Sequence, residues 1–178
     1  KILHVIDSLN VGGAEKVCIY LLSMLRETGH EADCMVITSK GPLHEKIDKR
    51  ARLFFLNRKR KFSLIKMYKC AMIASEYDII HVHMRHTWAY VKLSSLIFNS
   101  KLKLIFHDHF WGIRTPLDAN FRLTGIFKPQ FYVGVSYEHR KWAKENLKIS
   151  DEHLFVLRNT ILPDYGQSNI YFGDLLMI

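Results

Sequence analysis

Apolar, β-branched runs at 2–6, 32–38, 51–56, 78–82, 102–106, 131–135 and 154–157 alternate with stretches in which apolar residues recur every three or four positions, at 14–28, 62–76, 87–99, 120–127 and 137–147. The first pattern predicts strands and the second helices. The strand runs are apolar nearly throughout rather than at every second position, as expected when a parallel sheet is covered on both faces. Strand–helix alternation argues for βαβ units. The expected fold class is α/β: a Rossmann-like parallel sheet with helices on both faces. Such sheets bind ligands beyond the carboxyl ends of their strands, so the residues just after each run carry the functional information.

Those positions are rich in chemistry. The first run is followed by Asp7 to Gly13, with Gly12 and Gly13 directly before a helical pattern. Without a Cβ, the backbone there can approach another molecule closely. The free N–H groups and dipole of the helix start suit an anion, most often a phosphate. A tight turn that merely needs glycine is the competing explanation. The fourth run leads into His83-Met84-Arg85-His86, and the fifth into His107-Asp108-His109-Phe110-Trp111-Gly112. Ser136 follows the sixth, and Arg158-Asn159-Thr160 the seventh.

At 178 residues, 48% hydrophobic and 24% charged, the chain suits one main globular domain. No apolar run approaches the ~20 residues that span a bilayer, and the start at Lys1 shows no signal-peptide pattern. Cys18, Cys34 and Cys70 lack C-x-x-C spacing and read as reduced, buried residues of a cytoplasmic protein. The net charge of +9 favours anionic partners. Nucleic acid is not expected, because no reading motif accompanies the charge. The cluster Arg58, Lys59, Arg60, Lys61 precedes a helical pattern with Ile65, Tyr68, Met72 and Ile73 apolar and Lys66 and Lys69 basic. It reads either as a dock for an anionic membrane, peripheral on its inner face, or as a solvated loop beside an ordinary core-facing helix. After Pro163 the chain turns polar, then ends in the apolar 175–178, which predicts one domain over 1–163 and, from 164 on, a linker and the start of a second.

With these features in view, the chain resembles the N-terminal domain of a GT-B-fold glycosyltransferase, specifically the retaining sugar-nucleotide enzymes of family 4. The likeness rests on Val11-Gly12-Gly13-Ala14-Glu15 (a Gly-Gly-x-Glu turn), Asp78-Ile79-Ile80-His81-Val82-His83, Leu104-Ile105-Phe106-His107-Asp108-His109, Val133-Gly134-Val135-Ser136, and the step Phe155-Val156-Leu157-Arg158-Asn159-Thr160-Ile161. Each motif is weak alone, but five occur in order, each at a strand end. Thr160 departs from the family's usual Gly, and the family's C-terminal donor-binding domain has no counterpart in this sequence.

The resemblance implies transfer of a sugar from a nucleotide-sugar donor to a glycan or lipid-linked acceptor, with no cofactor and no metal. Gly12 and Gly13 would meet the donor diphosphate. A histidine after the fifth strand would lie near the reacting sugar. A Thr-x-His alignment favours His109, a strand ending on His favours His107, and on extended chain both share a side. Glu15, His83, Arg85, Asp108 and Trp111 are the candidates for the acceptor side or cleft. The chain by itself is expected to be inactive, or to serve as the non-catalytic, acceptor-binding part of a split transferase. A histidine-rich metal hydrolase is the rival from His81-Val82-His83-Met84-Arg85-His86, since imidazoles at this spacing hold zinc. Arg85 argues against it, because a cation there would repel the metal. A dinucleotide-dependent oxidoreductase is disfavoured because the first turn lacks Gly-x-Gly-x-x-Gly and Thr38-Ser39-Lys40 offers no acidic residue.

Overall fold

The computed structural model describes residues 1–99, 101–109 and 122–158. Seven strands form one sheet: β1 (Ile2–Ser8), β2 (Ala32–Ser39), β3 (Leu53–Phe55), β4 (Ile79–His83), β5 (Leu104–Asp108), β6 (Phe131–Gly134) and β7 (Leu154–Val156). Among the described residues four α-helices accompany them: α1 (Gly13–Glu27), α2 (Leu64–Ala74), α3 (Arg85–Phe98) and α4 (Tyr137–Leu147). The strand order is β3-β2-β1-β4-β5-β6-β7, and every pairing is parallel. From β1 the chain builds outward to β3, then crosses back to add β4 on the other side of β1. The ends of β1 and β4 therefore flank a topological switch point, where a crevice opens in sheets of this kind.

Side-chain parity divides the sheet into two faces. On one, Leu3, Val5, Met35, Ile80, Val82, Phe106 and Tyr132 pack against residues of α2, α3 and α4, among them Met67, Trp88 and Trp142. On the other, Ile6, Cys34 and Val36 pack against Cys18 and Leu22 of α1 and against Leu43. The three cysteines are buried and free. α4 starts at Ser136, whose hydroxyl accepts from the His139 backbone N–H. It can lie close on β6 because residue 134 is glycine: a Cβ there would collide with His139.

The structure departs from the sequence expectations in three places. The helix expected over 120–127 is, among the described residues, a turn followed by a 3₁₀ turn at Gly125–Phe127; the positive φ of Gly125, 56°, interrupts any α-helical run. The third strand shrinks to Leu53–Phe55. On α2 the buried stripe is Met67, Cys70, Ala71 and Ala74, an i, i+3, i+4, i+7 set, so Ile65, Tyr68 and Met72 face outward and are exposed. Of the two readings of this helix, the one in which those three face the core is thereby excluded. Trp111, the Asn159-Thr160 step and the tail from 164 lie outside the described residues. Among the described residues no helix is long and apolar enough to cross a membrane.

Candidate functional site

The switch point begins with a loop tied at its root. The Leu9 N–H donates to the Ser39 carbonyl at 3.3 Å, and the Leu9 carbonyl accepts from the Leu43 N–H at 2.9 Å. Gly41 makes this possible. Its φ is +60°, and a Cβ on it would strike the Leu9 backbone. Gly12 and Gly13 at the loop's tip differ. Gly12 is extended, with φ −163° and ψ 169°, which any residue adopts. A Cβ on Gly12 would meet only the flexible Glu15 carboxylate, and one on Gly13 would meet nothing within 4 Å. No turn geometry demands either glycine. They leave bare backbone at the start of α1, whose first N–H groups have no side-chain cap. Glu15 folds back over Gly12.

Beside this loop, strand parity assembles histidines on the α1 face of the sheet. His4 pairs with His81 in register, and His83 with His107; His109 follows on the same side as His107. Neighbouring rings lie 4.0 to 5.4 Å apart between centroids. His4 Nδ1 is 3.1 Å from His83 Nε2, and His83 Nδ1 is 3.0 Å from His109 Nε2. His4, His83 and His107 are wholly buried. Both ring nitrogens of His107, Nε2 of His4 and His81, and Nδ1 of His109 lack a hydrogen-bond partner among the described residues. Burial, which disfavours the charged imidazolium, lowers the pKa of His4 and of His109 to about 4. His81, His83 and His107 are also driven well below the ordinary value, by burial first and then by the neighbouring rings. The cluster is a set of neutral imidazoles with lone pairs to spare. His83, His107 and His109 each offer a ligand atom within 4.8 Å of the others, as do His4, His81 and His83.

Arg85 and Asp108 stand apart from it. Met84 adopts φ 72° between β4 and α3, so His83 stays on one face while Arg85 starts a helix on the other. Arg85 donates to both Asp108 carboxylate oxygens, with Nη2–Oδ2 at 2.8 Å. The Tyr132 hydroxyl donates to the same carboxylate at 3.0 Å, and the guanidinium lies 5.3 Å from the Trp142 ring. Both charged groups are buried. The expectation that Arg85 faces the same side as His83 is therefore not met.

A second ionic group closes the switch point from the helix side. Asp7, at the end of β1, accepts from the Thr38 hydroxyl at 3.1 Å and lies 3.5 Å from Arg58 and 3.6 Å from His86. Burial raises its pKa, but His86, Thr38 and Arg58 outweigh it and hold Asp7 below the usual carboxylate range. Arg58 also covers the Tyr90 ring at 4.4 Å, which withdraws it from the basic cluster; Lys59, Arg60 and Lys61 remain exposed. Sequence reasoning missed His4, which sits inside an apolar run, and gave His81 a role only in the rival metal reading. The every-second-residue placement of histidine on β4 and β5 was the signal for a shared face.

Comparison with known proteins follows the same geometry. The sequence profile of Glycosyltransferase Family 4 matches residues 11–165. No curated protein matches the chain in sequence. Among solved structures, a glycosyltransferase from Rickettsia africae ESF-5 superposes with a TM-score of 0.59 at 22% identity, over 88% of this chain and 42% of that one. Anabaena Alr3699/HepE in complex with UDP superposes with a TM-score of 0.66 at 16% identity, over 90% of this chain and 44% of that one. The lipopolysaccharide outer core galactosyltransferase WaaB gives 0.58 at 13% identity, over 90% and 46%. At these identities the likeness is one of fold, and the chain spans less than half the length of each of these structures.

Proposed function

The chain belongs to Glycosyltransferase Family 4, and from that premise we propose that it forms the acceptor-side lobe of a retaining, hexosyl-transferring enzyme that uses a nucleotide-sugar donor. The observation that carries this reading is the bare backbone at Gly12 and Gly13: no fold requirement explains either glycine, and the space before Gly13 is open. Amide donors there stabilise the charge that grows on a departing diphosphate. That solved relatives of this fold hold UDP and UDP-glucose supports the same class of donor. His109, half-buried just past the end of β5, is assigned to the reacting sugar, with His107 beside it. His83 fixes the His109 ring through the 3.0 Å contact.

The acceptor is a glycan or lipid-linked glycan, reached at an anionic membrane surface. Phe62, Leu64, Ile65, Tyr68 and Met72 are all exposed, next to Lys59, Arg60 and Lys61. Buried apolar side chains and basic residues near anionic lipid both contribute, the latter about 1 kcal/mol each. Vesicle co-sedimentation tests this: binding is expected with anionic lipid, and Phe62→Ser with Ile65→Ser should abolish it. Equal binding by the double variant would refute the assignment.

The donor half of the site is assigned to a second lobe. The isolated chain is expected to show negligible transfer from a panel of sugar nucleotides, whereas a protein joining it to such a lobe is active. Efficient turnover by the isolated chain would overturn the division of labour.

A further inference from the structure

We propose that Asp7, Arg58 and His86 form a subsite for the hydroxyl groups of a neutral sugar, that of the acceptor; the inference rests on the acceptor-side reading. Three segments bring the group together at the switch point. Ile6 pairs with Val36 and Ser8 with Ser39, so a bulge sets Ile37 and Thr38 of β2 opposite Asp7. Bulges of this kind re-aim side chains and are frequent beside functional sites. The Thr38 hydroxyl lies 2.8 Å from the Asp7 carbonyl oxygen and 3.1 Å from its Oδ2. The Arg58 N–H donates to the Ile37 carbonyl at 2.8 Å, which roots that side chain beside the same bulge. His86 enters from the first turn of α3, just after the positive φ of Met84.

Asp7 differs from the two buried carboxylates of the sheet. Asp108 is closed by Arg85 at 2.8 Å, and Asp33 by Tyr77 at 2.6 Å and Arg52 at 2.9 Å. Asp7 lies 3.5 Å from Arg58 and 3.6 Å from His86, beyond the usual range of a hydrogen bond. Its Oδ1 has no hydrogen-bond partner among the described residues. The side chains of Asp7 and His86 are 27% and 46% exposed, so a ligand reaches both. The group is thus an ionic cluster that stops short of closing on itself, at the end of the strands where this kind of sheet binds ligands.

The mixture of groups selects the ligand. An ionised Asp7 only accepts hydrogen bonds, and Arg58 only donates them. A hydroxyl does both, so adjacent sugar hydroxyls can give a hydrogen to Asp7 and take one from Arg58 or His86. Such bonds to charged groups are the stronger ones. A phosphate would meet the Asp7 charge, and a metal cation that of Arg58. The subsite shares no residue with the histidine cluster or with the glycine loop.

The test titrates the 15N-labelled chain with the methyl α-glycosides of glucose, galactose and mannose. At least one should bind saturably, with a dissociation constant on the order of millimolar, and shift the resonances of Asp7 and His86. His86→Ala, a change at an exposed side chain, should weaken that binding roughly fivefold or more, as should Asp7→Asn. Glu145→Gln on the outer side of α4 should not. In a protein joining the chain to a donor-binding lobe, His86→Ala should raise the acceptor KM and leave the donor KM unchanged. The proposal is overturned if no glycoside binds saturably or if binding survives both His86→Ala and Asp7→Asn. Displacement of the glycoside by inorganic phosphate would mark an anion site and overturn it too. Transfer with an acceptor KM indifferent to His86→Ala sinks the subsite while the transferase reading stands. Glycoside binding that depends on His86, in a chain whose two-lobed protein transfers nothing, sinks that reading and supports the subsite.

Discussion

Asp108 and His107 are neighbours on β5, and both are wholly buried, yet their surroundings are opposite. Asp108 faces α3 and α4 and receives hydrogen bonds from Arg85 and Tyr132. His107, one residue earlier, faces the other way among four further histidines, and neither ring nitrogen finds a partner among the described residues. The Asp108 arrangement recurs on the same face at Asp33, whose Oδ2 accepts from Arg52 Nε at 2.9 Å and from the Tyr77 hydroxyl at 2.6 Å. On that face the two buried carboxylates are met by partners, although the hydroxyls of Thr87 and Tyr90 find none among the described residues. The other carries its unpartnered ring nitrogens at the carboxyl ends of β4 and β5.

Breaking the Asp108 pairing should cost most. Asp108→Ala removes the carboxylate partner of buried Arg85 and should lose about 3–5 kcal/mol in denaturant unfolding; a loss under 1 kcal/mol would erase the contrast. His109→Ala is expected to leave stability within about 1 kcal/mol while cutting kcat of the proposed two-lobed enzyme about 100-fold. If His107→Ala does the greater damage to kcat, the reacting-sugar role moves one pleat inward.

Asp33 sharpens the comparison through pH. Burial raises its pKa, but hydrogen bonds from Tyr77 and Arg52 prevail and lower it. Its stabilisation is therefore complete above the unfolded value near ~4 and is lost as pH falls through the lower folded value. Asp33→Asn should cost about 2 kcal/mol at neutral pH, and thermal melts of the two proteins should converge under acid. His107→Leu, in metal-free buffer, should change stability by less than about 1 kcal/mol, because it removes a buried polar group that lacked partners. A larger loss would mean that the ring is satisfied after all. Gly13→Ala is the smallest: a gain of about 0.5 kcal/mol from helix propensity, coupled to weaker donor binding by the complete enzyme. Unimpaired donor binding would remove the diphosphate role from this loop.

Most of the fold was legible in the chain. Every apolar run became a strand, because in a sheet covered on both faces even the histidine-bearing positions of β1, β4 and β5 are flanked by apolar, β-branched neighbours that keep the run legible. The helix expected over 120–127 was not, since one positive-φ glycine at 125 outweighs its apolar spacing. On α2, two apolar stripes compete in the sequence, and only packing reveals that Met67 and Cys70 go inside while Ile65 and Tyr68 stay out. The candidate site was half legible. Strand ends showed His83, His107 and His109. His4 was hidden in an apolar run, and the side taken by Arg85 depends on a backbone angle at Met84 that no side-chain pattern encodes.

The clasp between Leu9 and Gly41 bears on the entropy of recognition. Loop residues that must be ordered on binding cost about 1–2 kcal/mol each, and that cost is subtracted from affinity. Here the root of the glycine loop is already held by the Ser39 and Leu43 backbones, so the ligand proposed for Gly13 would have less left to freeze. Gly41 touches no ligand in this scheme, yet a side chain there would pry the clasp apart and return that disorder to the loop.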